Sequence, residues 1–242
     1  MVITIDGPTA SGKSTLASQL SDHLGWYYLN SGLLFRGLGY ILMDKYKYGY
    51  QDLLSPDLEL VRACITSKKF VYSYDSVGKE ALIFDNTIIT MFLKNERIDK
   101  AASIISLDQD IRDIFVAYQR DLANKYNIVV DGRDTGSVVF PDAAIKFFLT
   151  ASIDVRARRW QADQKARGKV YLLKEAQKII TERDERDSKR AIAPLIVPAQ
   201  ACLIDSSYYT QEELFNTMID IIHNKFITNN YVGCQDYPVR QL

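Results

Sequence analysis

The stretch that decides the fold is VITIDGPTASGKS, residues Val2–Ser14. Its β-branched start predicts a strand, and the residues from Gly7 onward fit the pattern G-x-x-x-x-G-K-[ST]. Lys13 begins a segment with one apolar helical face, which Gly25 ends. In a strand–loop–helix unit of this kind, backbone N–H groups and the helix N-terminus face a phosphate. We therefore predict a nucleoside triphosphate site in which Lys13 reaches the β- and γ-phosphates and Ser14 supplies a hydroxyl to Mg²⁺.

Composition excludes several classes of protein. The chain has 242 residues, of which 47% are hydrophobic, and no apolar run approaches the roughly 18 to 20 residues that span a bilayer. The first residues lack the features of a secretory signal, so we expect a cytoplasmic protein that does not bind membranes. Lys+Arg and Asp+Glu balance at 30 each, which disfavours nucleic acid as a partner. Cys64, Cys202 and Cys234 show no pairing pattern, and we expect reduced thiols.

The rest of the chain continues the α/β pattern. The segments WYYL, NIVVDGRD, IKFFLT and ACLID predict four further strands, and helical segments separate most of them. This rhythm predicts a parallel sheet covered by helices. It breaks between about Tyr46 and Lys100, where KFVYSYD and EALIFD predict a hairpin around SVGK. Ser31 is the expected N-cap of one helix, and Ser55-Pro56 is the expected N-cap and first turn of another.

Two charged motifs follow the phosphate loop along the chain. VVDGRD ends a predicted inner strand, where open α/β sheets bind ligands, and places Asp131 to hold Mg²⁺ directly or through water and Arg133 to meet a phosphate. In ERDERDSKR, helical spacing puts Arg183, Asp187 and Arg190 on one face. The alternatives are an ordinary Asp-Gly turn for the first motif and a solvated, ion-paired helix for the second.

Five motifs resemble those of bacterial cytidylate (CMP) kinases, in the same order and at similar spacing. They are VITIDGPTASGKST, LNSGLLFR, KAASIIS, VVDGRDTGSVVFPDA and ERDERDSKRAIAPL, and the resemblance extends from Val2 to about Phe226. It implies the nucleoside-monophosphate (NMP) kinase fold, with a five-stranded parallel core, an NMP-binding domain and a small lid. The expected divisions are a core of residues 1–45, 101–151 and 191–227, an NMP-binding insertion of 46–100, a lid of 152–190 and a C-terminal tail of 228–242.

The resemblance also implies site residues. Those expected to contact ATP are Gly7, Pro8, Thr9, Ala10, Ser11, Gly12, Lys13, Ser14 and Thr15 of the loop, with Arg156 and Arg159. Those expected around CMP or dCMP are Ser31, Arg36, Ser103, Arg112, Arg133, Asp134, Arg183, Asp187 and Arg190. Within this set, Ser103, Arg112 and Asp134 resemble the group that reads the cytosine edge, and Asp187 the residue near the ribose. Lys13, Arg133, Arg183 and Arg190 are the expected catalytic residues, with Mg²⁺ as the cofactor and a monomer as the working form.

Three positions depart from the family pattern. Asn30 stands where an aspartate is usual and Phe35 where a tyrosine is usual, so substrate affinity is expected to differ, and Trp160 replaces a common lid arginine. The alternatives are another small-molecule kinase of this fold, acting on UMP, AMP or shikimate, and a non-catalytic protein that binds nucleotide or nucleic acid. Neither histidine falls in a motif, which fits phosphoryl transfer to an acceptor that is already anionic and needs no general base.

Overall fold

The computed structural model describes residues 1–75 and 78–228 and divides into two compact units. The first unit contains Met1–Leu29 and the chain from Tyr126 onward, and the second contains Asn30–Lys125. The predicted tail lies outside the described residues, apart from Thr228, and so does part of the predicted SVGK turn. The predicted boundaries of core, insertion and lid remain a prediction.

A five-stranded parallel sheet forms the centre of the first unit, as the sequence predicts. Its strands, in spatial order, are β2 (Tyr27–Asn30), β6 (Ile128–Gly132), β1 (Val2–Asp6), β7 (Ile145–Thr150) and β8 (Cys202–Asp205). Strand β1 pairs in parallel with both β6 and β7, and the register sets Asp6 opposite Gly132. The carboxyl ends of β1 and β6 therefore meet at one edge of the sheet, which brings together the two loops that follow them.

Burial on both faces explains the composition of these strands. Ile3 and Ile5 are fully buried on β1, and so are Thr4 and Asp6 on the alternate positions. Strands covered on both faces carry nearly continuous apolar residues, so a charged side chain there needs local partners. Asp6, at the end of the strand, finds them in the loop after β6.

Helices α1 (Lys13–Leu24), α6 (Ile153–Ala166), α7 (Leu173–Lys189) and α8 (Gln211–Thr228) belong to the first unit. Gly25 ends α1 in the left-handed conformation, at φ 66°, as predicted. Helices α6 and α7 pair through buried Ala157, Ala176 and Ile180. Trp160 packs against this cluster and lies 4.8 Å from the Tyr171 ring, so the departure from the family pattern here has a packing role.

The second unit combines four helices with a small antiparallel sheet. Its elements are α2 (Ser31–Tyr40), α3 (Leu58–Thr66), β3 (Phe70–Tyr74), β4 (Glu80–Phe84), β5 (Thr87–Ile88), α4 (Glu96–Ile105) and α5 (Gln109–Lys125). Strands β3 and β4 form the predicted hairpin, and β5 adds a short third strand. Helix α4 begins inside the stretch predicted as an insertion, at a point where the sequence pattern indicated no helix.

The predicted N-caps of α2 and α3 are each wrong. Asn30, not Ser31, caps α2 by accepting a hydrogen bond from Leu33 N, and Asp57 caps α3 in place of Ser55. Both true caps have extended backbones, and their short side chains reach the free N–H groups of the first turn. At each start two suitable residues lie close together, and backbone conformation selects between them.

The thiol prediction is partly wrong. Cys64 is a buried free cysteine, whereas Cys202 is disulfide-bonded, and Cys234 lies outside the described residues. Spacing along the chain does not fix distances in the folded protein, so the absence of a pairing pattern was a poor guide. Among the helices of residues 1–75 and 78–228, none is long and apolar enough to cross a membrane.

Candidate functional site

Gly7 and Gly12 of the phosphate loop are each required for a different structural reason. A Cβ atom on Gly7 would lie 2.1 Å from the backbone O of Leu149, so the loop passes the end of β7 too closely for any side chain. Gly12 is the N-cap of α1 at φ 95°, a conformation that favours glycine. Together they turn the chain sharply from β1 into α1, with the helix N-terminus directly after the loop.

Lys13, the first residue of α1, lies buried within this loop. Its Nζ donates to the backbone O of Pro8 at 3.0 Å, and its side chain is in the interior of the first unit. Burial, reinforced by the charge of Arg133, lowers the pKa of Lys13 well below its usual value, and Asp131 opposes that shift. A cation that lacks enough negative charge around it is poised to bind an anion.

Asp131, at the end of β6, receives a hydroxyl donor on each carboxylate oxygen. Ser14 Oγ donates to Oδ2 at 2.6 Å, and Tyr28 OH donates to Oδ1 at 2.7 Å. Mg²⁺ prefers oxygen ligands and commonly takes one or two carboxylates together with substrate phosphates and water. The Ser14 hydroxyl and the Asp131 carboxylate fit that preference and adjoin the loop.

Arg133, in the loop after β6, connects two motifs that are far apart in sequence. Its Nε donates to Asp187 Oδ2 at 2.8 Å, and its Nη2 donates to Thr9 Oγ1 at 3.2 Å. Burial raises the pKa of Asp187, but Arg133, Arg183 and Arg190 outweigh that effect, and the pKa lies below its usual value. The DGRD loop, α7 and the phosphate loop therefore meet at this arginine.

The predicted helical face of three charged residues is only partly correct. Arg183 and Asp187 lie on α7, but the helix ends at Lys189, and Arg190 has an extended backbone at φ −64° and ψ 141°. Arg190 turns instead toward Asp134, with Nη2 3.3 Å from Oδ1, and its Nε donates to the backbone O of Ala193. Local spacing alone misplaced this residue because the helix ends one position before it.

Two arginines of α6, Arg156 and Arg159, both reach the phosphate loop. Arg156 pairs with Asp184 of α7 and donates to the backbone O of Thr9 at 3.1 Å. Arg159 donates to Oγ and O of Ser206 at 2.8 and 2.9 Å, and Ser206 Oγ donates to the backbone O of Ser11. The structure thus places both side chains beside the loop, and their contacts to ATP remain a prediction.

Proteins of known family resemble this chain over most of its length. The family model for cytidylate kinase matches residues 3–224. The chain belongs to the cytidylate kinase family. Cytidylate kinase from Marinomonas sp. is 36% identical over 88% of this chain and 91% of its own length. That from Pseudomonas paraeruginosa is 38% identical over 90% of this chain and 93% of its own length.

A solved structure has a similar fold. An uncharacterized protein from Eubacterium ventriosum has a TM-score of 0.51 to this chain, covering 92% of this chain and 98% of its own, at 14% identity. At that identity the similarity concerns the fold alone. The family match confirms the sequence-based recognition, and the observed parallel sheet confirms the α/β fold class.

Several residues predicted to contact CMP fall in the second unit of this chain. Arg36 of α2 pairs with Asp99 of α4 at 2.7 Å, and buried Arg112 of α5 donates to the backbone O of Ser106 at 2.9 Å. Ser31 is the buried first residue of α2, and Ser103 is a half-buried residue of α4. The roles predicted for these residues remain predictions.

Phe35 has a clear place in this unit. Its ring packs against Phe115 at 4.8 Å, and the Arg112 guanidinium lies over it at 5.5 Å. A cation over an aromatic face gains electrostatic attraction and limits the movement of the side chain. The phenylalanine at this departure from the family pattern therefore supports a residue predicted to read cytosine.

Sequence reasoning missed three side chains that hold the site. Asp6 accepts from Thr135 N and Oγ1 and from Gly136 N, at 2.7 to 2.9 Å. Tyr28 and Asp184 hold Asp131 and Arg156, respectively. Asp6 and Asp184 are themselves residues of two quoted motifs, VITIDGPTASGKST and ERDERDSKRAIAPL, which is a usable signal, whereas Tyr28 lies in a strand with nothing to mark it.

Proposed function

We propose that this protein transfers the γ-phosphoryl group of ATP to CMP or dCMP, giving ADP and CDP or dCDP. The observation that carries the proposal is the contact of Arg133 with both Thr9 of the phosphate loop and Asp187 of α7. Three separated motifs of the family meet there, and each supplies charge of the kind that phosphoryl transfer needs. Membership of the cytidylate kinase family supports CMP as the acceptor.

The donor half of the reaction would rest on the loop and its cations. The backbone from Gly7 to Thr15 would bind the phosphates of ATP, with Lys13 at the β- and γ-phosphates. Ser14 and Asp131 would hold Mg²⁺, which neutralises charge on the triphosphate. Arg156 and Arg159 would contact ATP from α6.

Each unit by itself holds some of the residues that we propose for the acceptor. In the first unit, Arg133, Arg183 and Arg190 would meet phosphate, while Asp134 would accept a hydrogen bond from the cytosine amino group. In the second unit, Arg36 would meet phosphate, and Ser31, Ser103 and Arg112 would contact the nucleotide. Uracil offers an oxygen in place of the amino group, so a buried Asp134 would lose its donor and face repulsion.

Catalysis would come from positioning and charge compensation. The acceptor oxygen on CMP is already anionic and attacks the γ-phosphorus without losing a proton, so no side chain need act as a general base. Lys13, Arg133, Arg183 and Arg190 would stabilise the charge that spreads over the transferring phosphoryl oxygens. Their fixed partners, such as Asp187 for Arg133, hold the donors in place before the reaction.

A substrate panel tests the proposal. Purified full chain is assayed with ATP and Mg²⁺ against CMP, dCMP, UMP, AMP and shikimate, following ADP release. We expect CMP or dCMP to have the highest kcat/KM, with UMP disfavoured by about 1 to 3 kcal/mol. Preference for UMP would refute the role of Asp134, and preference for AMP or shikimate would refute the proposed acceptor. Phosphorylation of no substrate by a folded, ATP-binding protein would favour a non-catalytic function.

We further propose that the protein works as a monomer in the cytoplasm, where ATP and CMP are available. Its balanced charge gives no overall field for nucleic acid. Gel filtration at assay concentration tests the oligomeric state, and activity that appears only in a larger species would contradict the monomer.

A further inference from the structure

We propose that Asp184 is a positioning residue that holds Arg156 and the backbone of Thr9 in the arrangement that binds ATP. This inference rests on the proposed function and adds a residue to its donor half. Asp184 lies on α7, between two positions with predicted contacts to CMP, yet its own contacts are to the phosphate loop and to α6.

The contacts form a closed ring. Thr9 N–H donates to Asp184 Oδ1 at 2.8 Å, the other carboxylate oxygen pairs with Arg156, and Arg156 Nη1 donates to the backbone O of Thr9 at 3.1 Å. The Arg156–Asp184 ion pair therefore binds both the backbone N–H and the backbone C=O of Thr9. Arg133 donates to the hydroxyl oxygen of the same residue, so Thr9 is held by side chains from α6, α7 and the loop after β6.

The environment of the pair indicates that it is a built feature. The side chains of Arg156 and Asp184 are 11% and 15% exposed, in contrast to the neighbouring Glu185, which is exposed and pairs with Lys189 on the outer surface of α7. A shielded pair is screened less by water and salt than a surface pair. Arg156 also donates to the backbone O of Ala151, so its guanidinium is fixed from two sides.

Loss of Asp184 would weaken the binding of ATP and leave the binding of CMP unchanged. Arg156 would lose its charged partner and Thr9 N–H its acceptor, so the loop and the arginine would have to be ordered by ATP itself. Removal of the carboxylate leaves the charge of Arg156 unpaired, which by itself favours an anionic nucleotide, so a net loss of ATP affinity requires that the cost of ordering Thr9 and Arg156 exceeds this gain. None of the described contacts of Asp184 involves a residue predicted to bind CMP.

The test compares Asp184→Ala, Asp184→Asn and the matched control Glu185→Gln in the full chain. Calorimetry gives the Kd of ATP, and steady-state kinetics give separate KM values for ATP and CMP. We expect Asp184→Ala to weaken ATP binding about tenfold or more, with an unchanged KM for CMP. Asp184→Asn, which keeps an acceptor for Thr9 but loses the charge, should lie between it and the wild type, and Glu185→Gln should match the wild type.

A double-mutant cycle with Arg156→Ala separates positioning from general structural loss. If Asp184 acts through Arg156, its removal costs less ATP affinity when Arg156 is already absent. ATP binding by Asp184→Ala that equals or exceeds the wild type, or an equal rise in both KM values, would overturn the proposal. If the alanine variant does not fold, Asp184→Asn decides by the same criteria. Because ATP binding is measured without turnover, a wild-type protein that binds ATP but leaves CMP unchanged would refute the proposed function and leave this test intact.

Discussion

Asp6 provides the sharpest prediction on stability. It is fully buried at the end of β1, and it accepts three hydrogen bonds from Thr135 and Gly136. Burial nevertheless raises the pKa of Asp6 from 3.8 to about 6, against the effect of those donors. The folded protein therefore binds this proton more tightly than the unfolded chain does.

The sign and size of the effect follow from linkage. Between the unfolded pKa of 3.8 and the folded pKa of about 6, the native state holds more protons, so the free energy of unfolding falls as the pH rises. A tenfold change in proton affinity corresponds to about 1.4 kcal/mol, so ionised Asp6 costs roughly 3 kcal/mol at neutral pH relative to its protonated form. About 2 kcal/mol of that cost develops between about pH 4.5 and pH 7.5.

The measurement compares wild type with Asp6→Asn by urea unfolding at these two pH values. Asparagine cannot ionise, so the wild-type free energy of unfolding minus that of the variant should fall by about 2 kcal/mol from the lower to the higher pH. Hydrogen bonds lost in the variant add an offset that cancels in this difference. Asp163→Asn, at an exposed position on α6, controls for the loss of one negative charge. If the wild-type free energy of unfolding minus that of the variant stays constant or grows with pH, burial does not raise the pKa of Asp6.

Two further substitutions test the donor half. Lys13→Ala should raise the activation free energy for kcat/KM by on the order of 3 kcal/mol, because it removes one preorganised cation. Thermal unfolding checks that the variant keeps its fold, and near-normal turnover would contradict the role assigned to Lys13. Tyr28→Phe removes the hydroxyl on Asp131 without a change of shape, and the free energy of unfolding should fall by about 1.5 to 3 kcal/mol in urea. An unchanged stability in that variant would mean that Asp131 does not depend on Tyr28.

The sequence was most informative where one short-range rule governs the structure. The β-branched start, the glycine pattern and the apolar face that Gly25 ends together predict β1, the loop and α1, and the structure has all three. The helix caps were less predictable, because Asn30 and Ser31 can each serve and the backbone decides between them. The prediction that Arg190 lies on the same helical face as Arg183 is wrong for a similar reason, because the residues around Lys189 do not show that α7 ends there.

The supporting side chains of the site could not be predicted from spacing. Asp6 and Thr135 are far apart in the chain and meet only because β1 and β6 are adjacent in the sheet. The same holds for Asp184, whose partners lie on α6 and in the phosphate loop. Asp6, Thr135 and Asp184 all stand in quoted motifs, but which of these residues contact each other depends on strand order and helix pairing, which the motifs do not show.

Because Gly7 lies so close to Leu149, the shape of the phosphate loop depends on the neighbouring strand β7. Its wall on one side is the carbonyl end of β7, so a loop transplanted without that neighbouring strand would lose the surface against which it is shaped. A side chain at Gly7 would have to push that strand aside while the sheet assembles, before any nucleotide binds. Variants at Gly7 are therefore expected to appear as failures of expression and folding, whereas those at Lys13 appear as failures of binding and turnover.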